Sequence, residues 1–251
     1  MSFSKDGQWV AYSAFPEGNV WRSKIDGSER LQLTFAPMQA LLPRWSPDGK
    51  QIAFQGITPD KPWTMYLISA DGGSPQEVAP GDGDIGWSSD GQSIVFGDTP
   101  LFYEPGPSRR LAIHVMDLKT RQVSTLPGSE GLYGPRWSPD GRMIAALRAG
   151  SETLLVFDLP TRKWTELERI YVGYPSWSRD STYVYFDSPV GEPGLYRLRV
   201  ADHKLEKLFS LKNVRFASAS SGWTGLAPDD SPLLLRDVGS QEIYALDVNF
   251  P

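Results

Sequence analysis

The chain has 251 residues, 40% hydrophobic and 12% aromatic, with a formal net charge of −5 and no cysteine. This balance belongs to a globular domain rather than a disordered one, and an acidic chain without basic runs gives no footprint for nucleic acid. Disulfides and thiolate metal sites are excluded. No apolar run approaches the roughly 20 residues of a membrane helix, so no membrane insertion by this segment is expected.

In chain order, the N-terminal stretch MSFSKDGQWVAY lacks a basic region followed by an apolar run, so it does not read as a signal peptide. It starts almost inside a repeat, which suggests a trimmed domain. Phe3-Ser4-Lys5-Asp6-Gly7 precedes the β-type run Trp9-Val10-Ala11-Tyr12, then NVWRSKID (19–26) and RLQLT (30–34). The same order recurs. Trp45-Ser46-Pro47-Asp48-Gly49 is followed by Ile52-Ala53-Phe54, TMYLISAD (64–71) and PQEVA (75–79). Trp87-Ser88-Ser89-Asp90-Gly91 leads to Ile94-Val95-Phe96, a Pro/Gly loop DTPLFYEPGPSRR (98–110), LAIHVMD (111–117) and QVSTL (122–126). Trp137-Ser138-Pro139-Asp140-Gly141 introduces Ile144-Ala145-Ala146, TLLVFD (153–158) and WTELE (164–168). Trp177-Ser178-Arg179-Asp180-Ser181 introduces Tyr183-Val184-Tyr185-Phe186, GLYRLRVAD (194–202) and KLEKLF (204–209). A worn copy, Leu226-Ala227-Pro228-Asp229-Asp230, is followed by Leu233-Leu234-Leu235 and QEIYALD (241–247), with no fourth strand before Pro251.

Ser-Pro-Asp-Gly is turn chemistry: serine at the first position, proline pre-setting φ at the second, glycine tolerating a left-handed fourth. Residues 3, 45, 87, 137, 177 and 226 are spaced 42, 42, 50, 40 and 49 apart. Four strands in each 40–50-residue period are the mark of propeller blades. The predicted fold is all-β: a six-bladed β-propeller of four-stranded antiparallel blades, with a three-stranded last blade as the alternative. It forms one domain over 1–251, with blades near 1–41, 42–83, 84–132, 133–172, 173–212 and 213–251. The structural blade motif comprises Trp45, Asp48, Gly49, Trp87, Asp90, Gly91, Trp137, Asp140, Gly141, Trp177 and Asp180. The tryptophans are expected to wedge between blades, and the aspartates to satisfy turn amides.

WSPDGKQIAF followed by MYLISADGG resembles the WD40-like Pro-Asp repeat of the TolB-type bacterial β-propellers. Val20-Trp21-Arg22-Ser23-Lys24, Gly27 to Thr34, and Leu233 to Asp237 with Glu242 to Asp247 are similar to the C-terminal propeller region of acidobacterial proteins. In those proteins the repeats often follow a winged-helix DNA-binding domain and a membrane segment. The resemblance implies the sensing or interaction part of a larger bacterial protein, in a periplasmic or other extracytoplasmic position. Ser181, standing where glycine is expected, and the whole sixth unit depart from the pattern.

Chemistry-bearing residues are few. His114 lies between Ile113 and Val115 in a third strand, and His203 in a turn, so a three-histidine metal site cannot be built. GDGDIG (81–86) matches a dinucleotide string, but no helix follows, so it reads as a blade connector. Asp82 and Asp84 there are candidate Ca²⁺ ligands together with backbone oxygens, against the simpler reading of a solvated loop. No nucleophile elbow, P-loop or HExxH is present. No catalytic, cofactor or metal residue is therefore assigned.

The loops 36–43, 58–63, 101–110 and 169–175 carry aromatics and prolines. Trp63, Tyr103, Arg109, Arg110, Tyr171 and Tyr174 are the candidate contacts for a protein or peptide partner, the alternative being that the tyrosines cover blade edges. The expected function is a non-catalytic protein-interaction or ligand-sensing module. Two alternatives stand beside it: a propeller hydrolase, lyase or peptidase half, and a structural segment whose open edge pairs with another copy.

Overall fold

In the computed structural model, residues 1–81, 83–97, 111–150, 152–216 and 224–239 are described. The strands form successive antiparallel sheets, each built in chain order. Blade 1 comprises β1 (Ser2–Phe3), β2 (Trp9–Ala14), β3 (Asn19–Lys24) and β4 (Leu31–Gln32). Blade 2 comprises β5 (Gln39–Trp45), β6 (Gln51–Thr58), β7 (Lys61–Ser69) and β8 (Gln76–Pro80). Blade 3 comprises β9 (Gly86–Trp87), β10 (Ser93–Gly97), β11 (Ile113–Asp117) and β12 (Val123–Thr125). Blade 4 comprises β13 (Leu132–Trp137), β14 (Met143–Arg148), β15 (Leu154–Asp158) and β16 (Lys163–Glu168). Blade 5 comprises β17 (Gly173–Trp177), β18 (Tyr183–Ser188), β19 (Gly194–Arg199) and β20 (Leu205–Ser210). The sixth unit is a two-stranded sheet of β21 (Thr224–Leu226) and β22 (Pro232–Leu234), extended by a bridge between Phe216 and Arg236.

The propeller thus has five four-stranded blades among the described residues, not six. The third strand expected for the sixth unit, QEIYALD (241–247), lies outside the described residues, and the described part of the unit departs from the blade pattern. Its turn-leading residue is Leu226 instead of tryptophan, and Asp230 replaces glycine at a φ of 64°. Its second strand begins with a proline, which cannot donate to a ladder.

Alternation along the strands builds the core between blades. On β6, Ile52 and Phe54 join Ala11, Val20 and Leu33 of blade 1, whereas Ala53 faces Ile94 and Met116 of blade 3. A third cluster joins blades 3 and 4 through Val95, Leu132, Ile144 and Phe157, and a fourth joins blades 4 and 5 through Val156, Val184, Phe186 and Leu198. Each fully buried Ile or Phe contributes roughly 1.5–3 kcal/mol. Gln55, also on β6, is buried with neither amide atom hydrogen-bonded, and nothing in the structure explains it.

The motif tryptophans sit against these clusters, Trp45 buried and Trp87, Trp137 and Trp177 half-buried. The indole Nε1 of Trp87 donates to the Arg44 carbonyl of the preceding blade at 3.1 Å, and that of Trp177 to the Arg136 carbonyl at 2.9 Å. Trp137 instead donates to Gly141 in its own turn.

In each of the five blades the turn closes by one small network. In blade 4, Ser138 Oγ donates to Asp140 Oδ1 at 2.5 Å, the Arg142 amide donates to the same oxygen, and the Met143 amide donates to Ser138 Oγ. Asp6, Asp48, Asp90 and Asp180 take the same pair of donors in their turns.

The turns also touch one another. A methyl group added at Gly91 would meet Pro47 of blade 2, and one at Gly141 would meet Ser89 of blade 3. The Asp140 amide donates to Ser181 Oγ of blade 5, and the Arg179 amide to Asp230 of the sixth unit. A methyl at Gly7 would lie 2.7 Å from Pro228, so the sixth unit meets blade 1. These contacts run as a collar around one mouth of the propeller.

Candidate functional site

First strands β1, β5, β13, β17 and β21, together with the turn residues Lys5, Pro139, Arg179, Pro228 and Asp230, line an open cavity of about 430 Å³. The residues just before the turn-leading positions form a ring: Ser2, Arg44, Gly86, Arg136, Ser176 and Gly225. All but Gly86 line the cavity.

The backbone sets this aim. The pairing register shifts between Leu41 and Arg44, between Tyr133 and Arg136, and between Gly173 and Ser176. At each shift a residue of positive φ precedes a proline: Leu42 at 53°, Gly134 at 61° and Tyr174 at 45°. Such bulges turn the following side chains out of the regular alternation. Leucine and tyrosine pay a steric cost for this conformation that glycine avoids.

Between the two arginine-bearing strands lies β9, where Gly86 supplies no side chain. Asp84, two residues earlier and buried, fills the gap. Arg44 Nε and Nη2 reach its two carboxylate oxygens at 3.3 and 3.0 Å, and Arg136 Nη2 donates to Oδ2 from the other side. Burial pulls the Asp84 carboxyl upward, but the Arg136 and Arg44 guanidiniums prevail and hold it below the ordinary carboxylate range. Burial, with the Arg44 cation behind it, pushes Arg136 down to about 10 against the opposing pull of Asp84. Three hydrogen bonds from two guanidiniums take most of the acceptor sites of the Asp84 carboxylate and already neutralise its charge, which disfavours it as a Ca²⁺ ligand. Asp82, the other candidate ligand, lies outside the described residues. Among the described residues, no group of three or more His, Asp or Glu side chains could hold a metal ion.

The glycines of GDGDIG serve packing. A methyl at Gly83 would land on the Gly97 carbonyl, and one at Gly86 would press Val95 at 2.9 Å. His114 makes a 3.0 Å contact from Nδ1 to Thr125 Oγ1 beside the Phe96 ring. His203 occupies an exposed turn at a φ of 59°.

At the opposite end from the turn collar lie the hairpins joining second to third strands and the links between blades. Trp63 and Tyr171 are both there and half-buried. Tyr174 begins the bulge of β17 and lines the channel instead. Tyr103, Arg109 and Arg110 lie outside the described residues. The same end exposes Phe15 (94%), Phe35 (62%) and Val190 (61%), which the sequence reading passed over. A second cavity of about 620 Å³ opens there between blades 4 and 5, lined by Arg148, Glu152, Glu166, Arg169, Tyr171 and Val190. Both of its arginines pair with Glu166, Arg169 Nε at 2.5 Å and Arg148 Nη2 at 3.8 Å.

No family model matches the chain. It is 32% identical over 130 residues to dipeptidyl-peptidase 5 of Porphyromonas gingivalis, a match spanning 45% of this chain and 18% of that protein. It is 29% identical over 152 residues to a TolB homolog of Chlorobium luteolum, covering 59% of this chain and 33% of that protein. The matches thus span a third or less of these curated relatives. Among solved structures, TolB from Agrobacterium tumefaciens superposes with a TM-score of 0.72 at 20% identity, over 93% of this chain and 87% of that one. Oligogalacturonate lyase from Vibrio parahaemolyticus gives 0.58 at 13% identity, over 93% and 87%. A nidogen/laminin complex gives 0.60 at 14% identity, over 81% and 78%. The fold is a TolB-like β-propeller.

Proposed function

We propose that this TolB-like propeller is a non-catalytic interaction module that holds a protein or peptide partner on the end opposite the turn collar. The observation that carries this reading is the groove between blades 4 and 5, where Tyr171 and Val190 stand beside paired charges. An apolar anchor framed by polar groups suits a protein or peptide surface. Phe15 and Phe35 extend the apolar character of the same end. The nidogen/laminin structure and the TolB structures support protein partners by likeness of fold. The resemblance to the acidobacterial propellers supports a place within a longer bacterial protein, outside the cytoplasmic membrane.

Affinity capture from an extract of the source organism tests this, comparing the natural chain with a Tyr171→Ala/Val190→Glu variant. A partner retained at stoichiometric level by the natural chain and lost by an equally stable variant is the expected result. Equal retention by both would overturn the choice of face. The matched segment of dipeptidyl-peptidase 5 supports a second reading, the propeller part of a peptidase. Turnover of peptides by the purified chain would favour it over the first.

A further inference from the structure

The channel carries a charge that the rest of the molecule does not. The chain as a whole is at −5, yet the cavity is lined by Lys5, Arg44, Arg136 and Arg179, with Asp230 as the lining carboxylate. Behind the wall stand Asp84, on the two arginines, and Asp187, on the lining Thr224, so three described carboxylates meet four side-chain cations. The Met1 amine also lines the cavity, its pKa lowered to about 5 by burial and by Arg44. A structural ion pair needs one guanidinium for its carboxylate. Here two converge on one, each from a strand bent by a bulge, with a glycine seat between them.

We propose that the channel is an anion-binding site, in which a small ligand places a carboxylate or phosphate group between Arg44 and Arg136. Guanidiniums present forked donors that match both groups. Ser2 and Ser176 occupy neighbouring seats of the ring and offer hydroxyls, and Lys5 and Arg179 stand in the turns at the collar-side mouth. The cavity has the size of a small-molecule site. Its low-dielectric wall strengthens the attraction relative to an exposed pair. Asp84 acts as the resident counter-anion: it holds the two cations in place when the channel is empty and competes with the ligand's charge. This site is distinct from the groove between blades 4 and 5, so it stands or falls separately from the partner-binding reading.

Titration calorimetry on the full chain at low ionic strength tests the assignment, with citrate and inorganic phosphate as anionic probes and glycerol as the neutral control. Saturable binding of citrate, phosphate or both is expected, with glycerol inert; which anion binds more tightly tells a carboxylate ligand from a phosphate one. Asp84→Asn removes the internal competitor and is expected to tighten binding about tenfold. It should also make the unfolding temperature rise more steeply with added anion than in the natural chain. Arg44→Gln leaves Arg136 and Asp84 as a balanced pair and is expected to weaken binding about tenfold or more. Absence of saturable binding by either anion would overturn the proposal. Binding that Asp84→Asn leaves unchanged would overturn it equally, even if Arg44→Gln failed to fold.

Discussion

Asp187 shows how one side chain can report on the seam between units. It lies on β18 in the position following the aromatic, buried, and its Oδ1 accepts the Thr224 hydroxyl of the sixth unit at 2.6 Å. Burial pushes its carboxyl above the ordinary value of 3.8, against the pull of that hydrogen bond. The folded chain therefore keeps this proton to higher pH than the unfolded one. The associated stability is complete below the ordinary carboxylate range and is lost as pH rises through the raised value. Asp187→Asn retains an acceptor for Thr224 and removes the charge. Its unfolding temperature is expected to exceed that of the natural chain at about pH 7 and to match it at about pH 3, as thermal denaturation at both pH values would show. Nothing in the string Tyr-Phe-Asp-Ser marked this residue, because its burial depends on Thr224, 37 positions away. The turn residues were legible for the opposite reason: Ser138, Asp140 and Arg142 satisfy one another within five positions.

Among the elements, the inner strands hold the features that pattern reading missed. The strands themselves could be read from apolar alternation and turn chemistry. The bulges could not, since Leu42 and Tyr174 carry none of the glycine or asparagine that marks a positive φ. Following the bulge leads to the channel arginines, and so to Asp84, which the GDGDIG string had offered as a Ca²⁺ ligand. A proline after each bulge residue (Pro43, Pro135 and Pro175) was the available signal. The strain at Leu42 can be measured. Leu42→Val places a β-branched side chain at a φ of 53° and is expected to lower stability by roughly 1–2 kcal/mol. Leu42→Asn, which tolerates the left-handed region, is expected to stay within about 0.5 kcal/mol of the natural chain or exceed it. Urea denaturation of the pair decides; equal losses would mean that the lost leucine packing, not the backbone, sets the cost.

For the whole molecule, the repeat period identified the architecture but gave six blades where the described residues form five, because the sixth unit shows there its turn and a two-stranded sheet. What that unit keeps is its place in the collar, against Arg179 on one side and Gly7 on the other. Gly7 and Gly49 share a φ of 71°, yet Gly49 has open space where Gly7 has Pro228. Gly49→Ala is expected to cost about 1 kcal/mol from backbone strain alone. Gly7→Ala adds the collision at the seam and is expected to cost roughly twice as much or more. Matched losses in chemical denaturation would show that blade 1 and the sixth unit are not pressed together in solution. The bulged inner strands carry one last implication, for redesign. Because a main-chain bulge and not neighbouring side chains aims positions 44, 136 and 176, those three work like a socket with exchangeable pins. New chemistries could be fitted there one by one while the walls that hold them keep their shape.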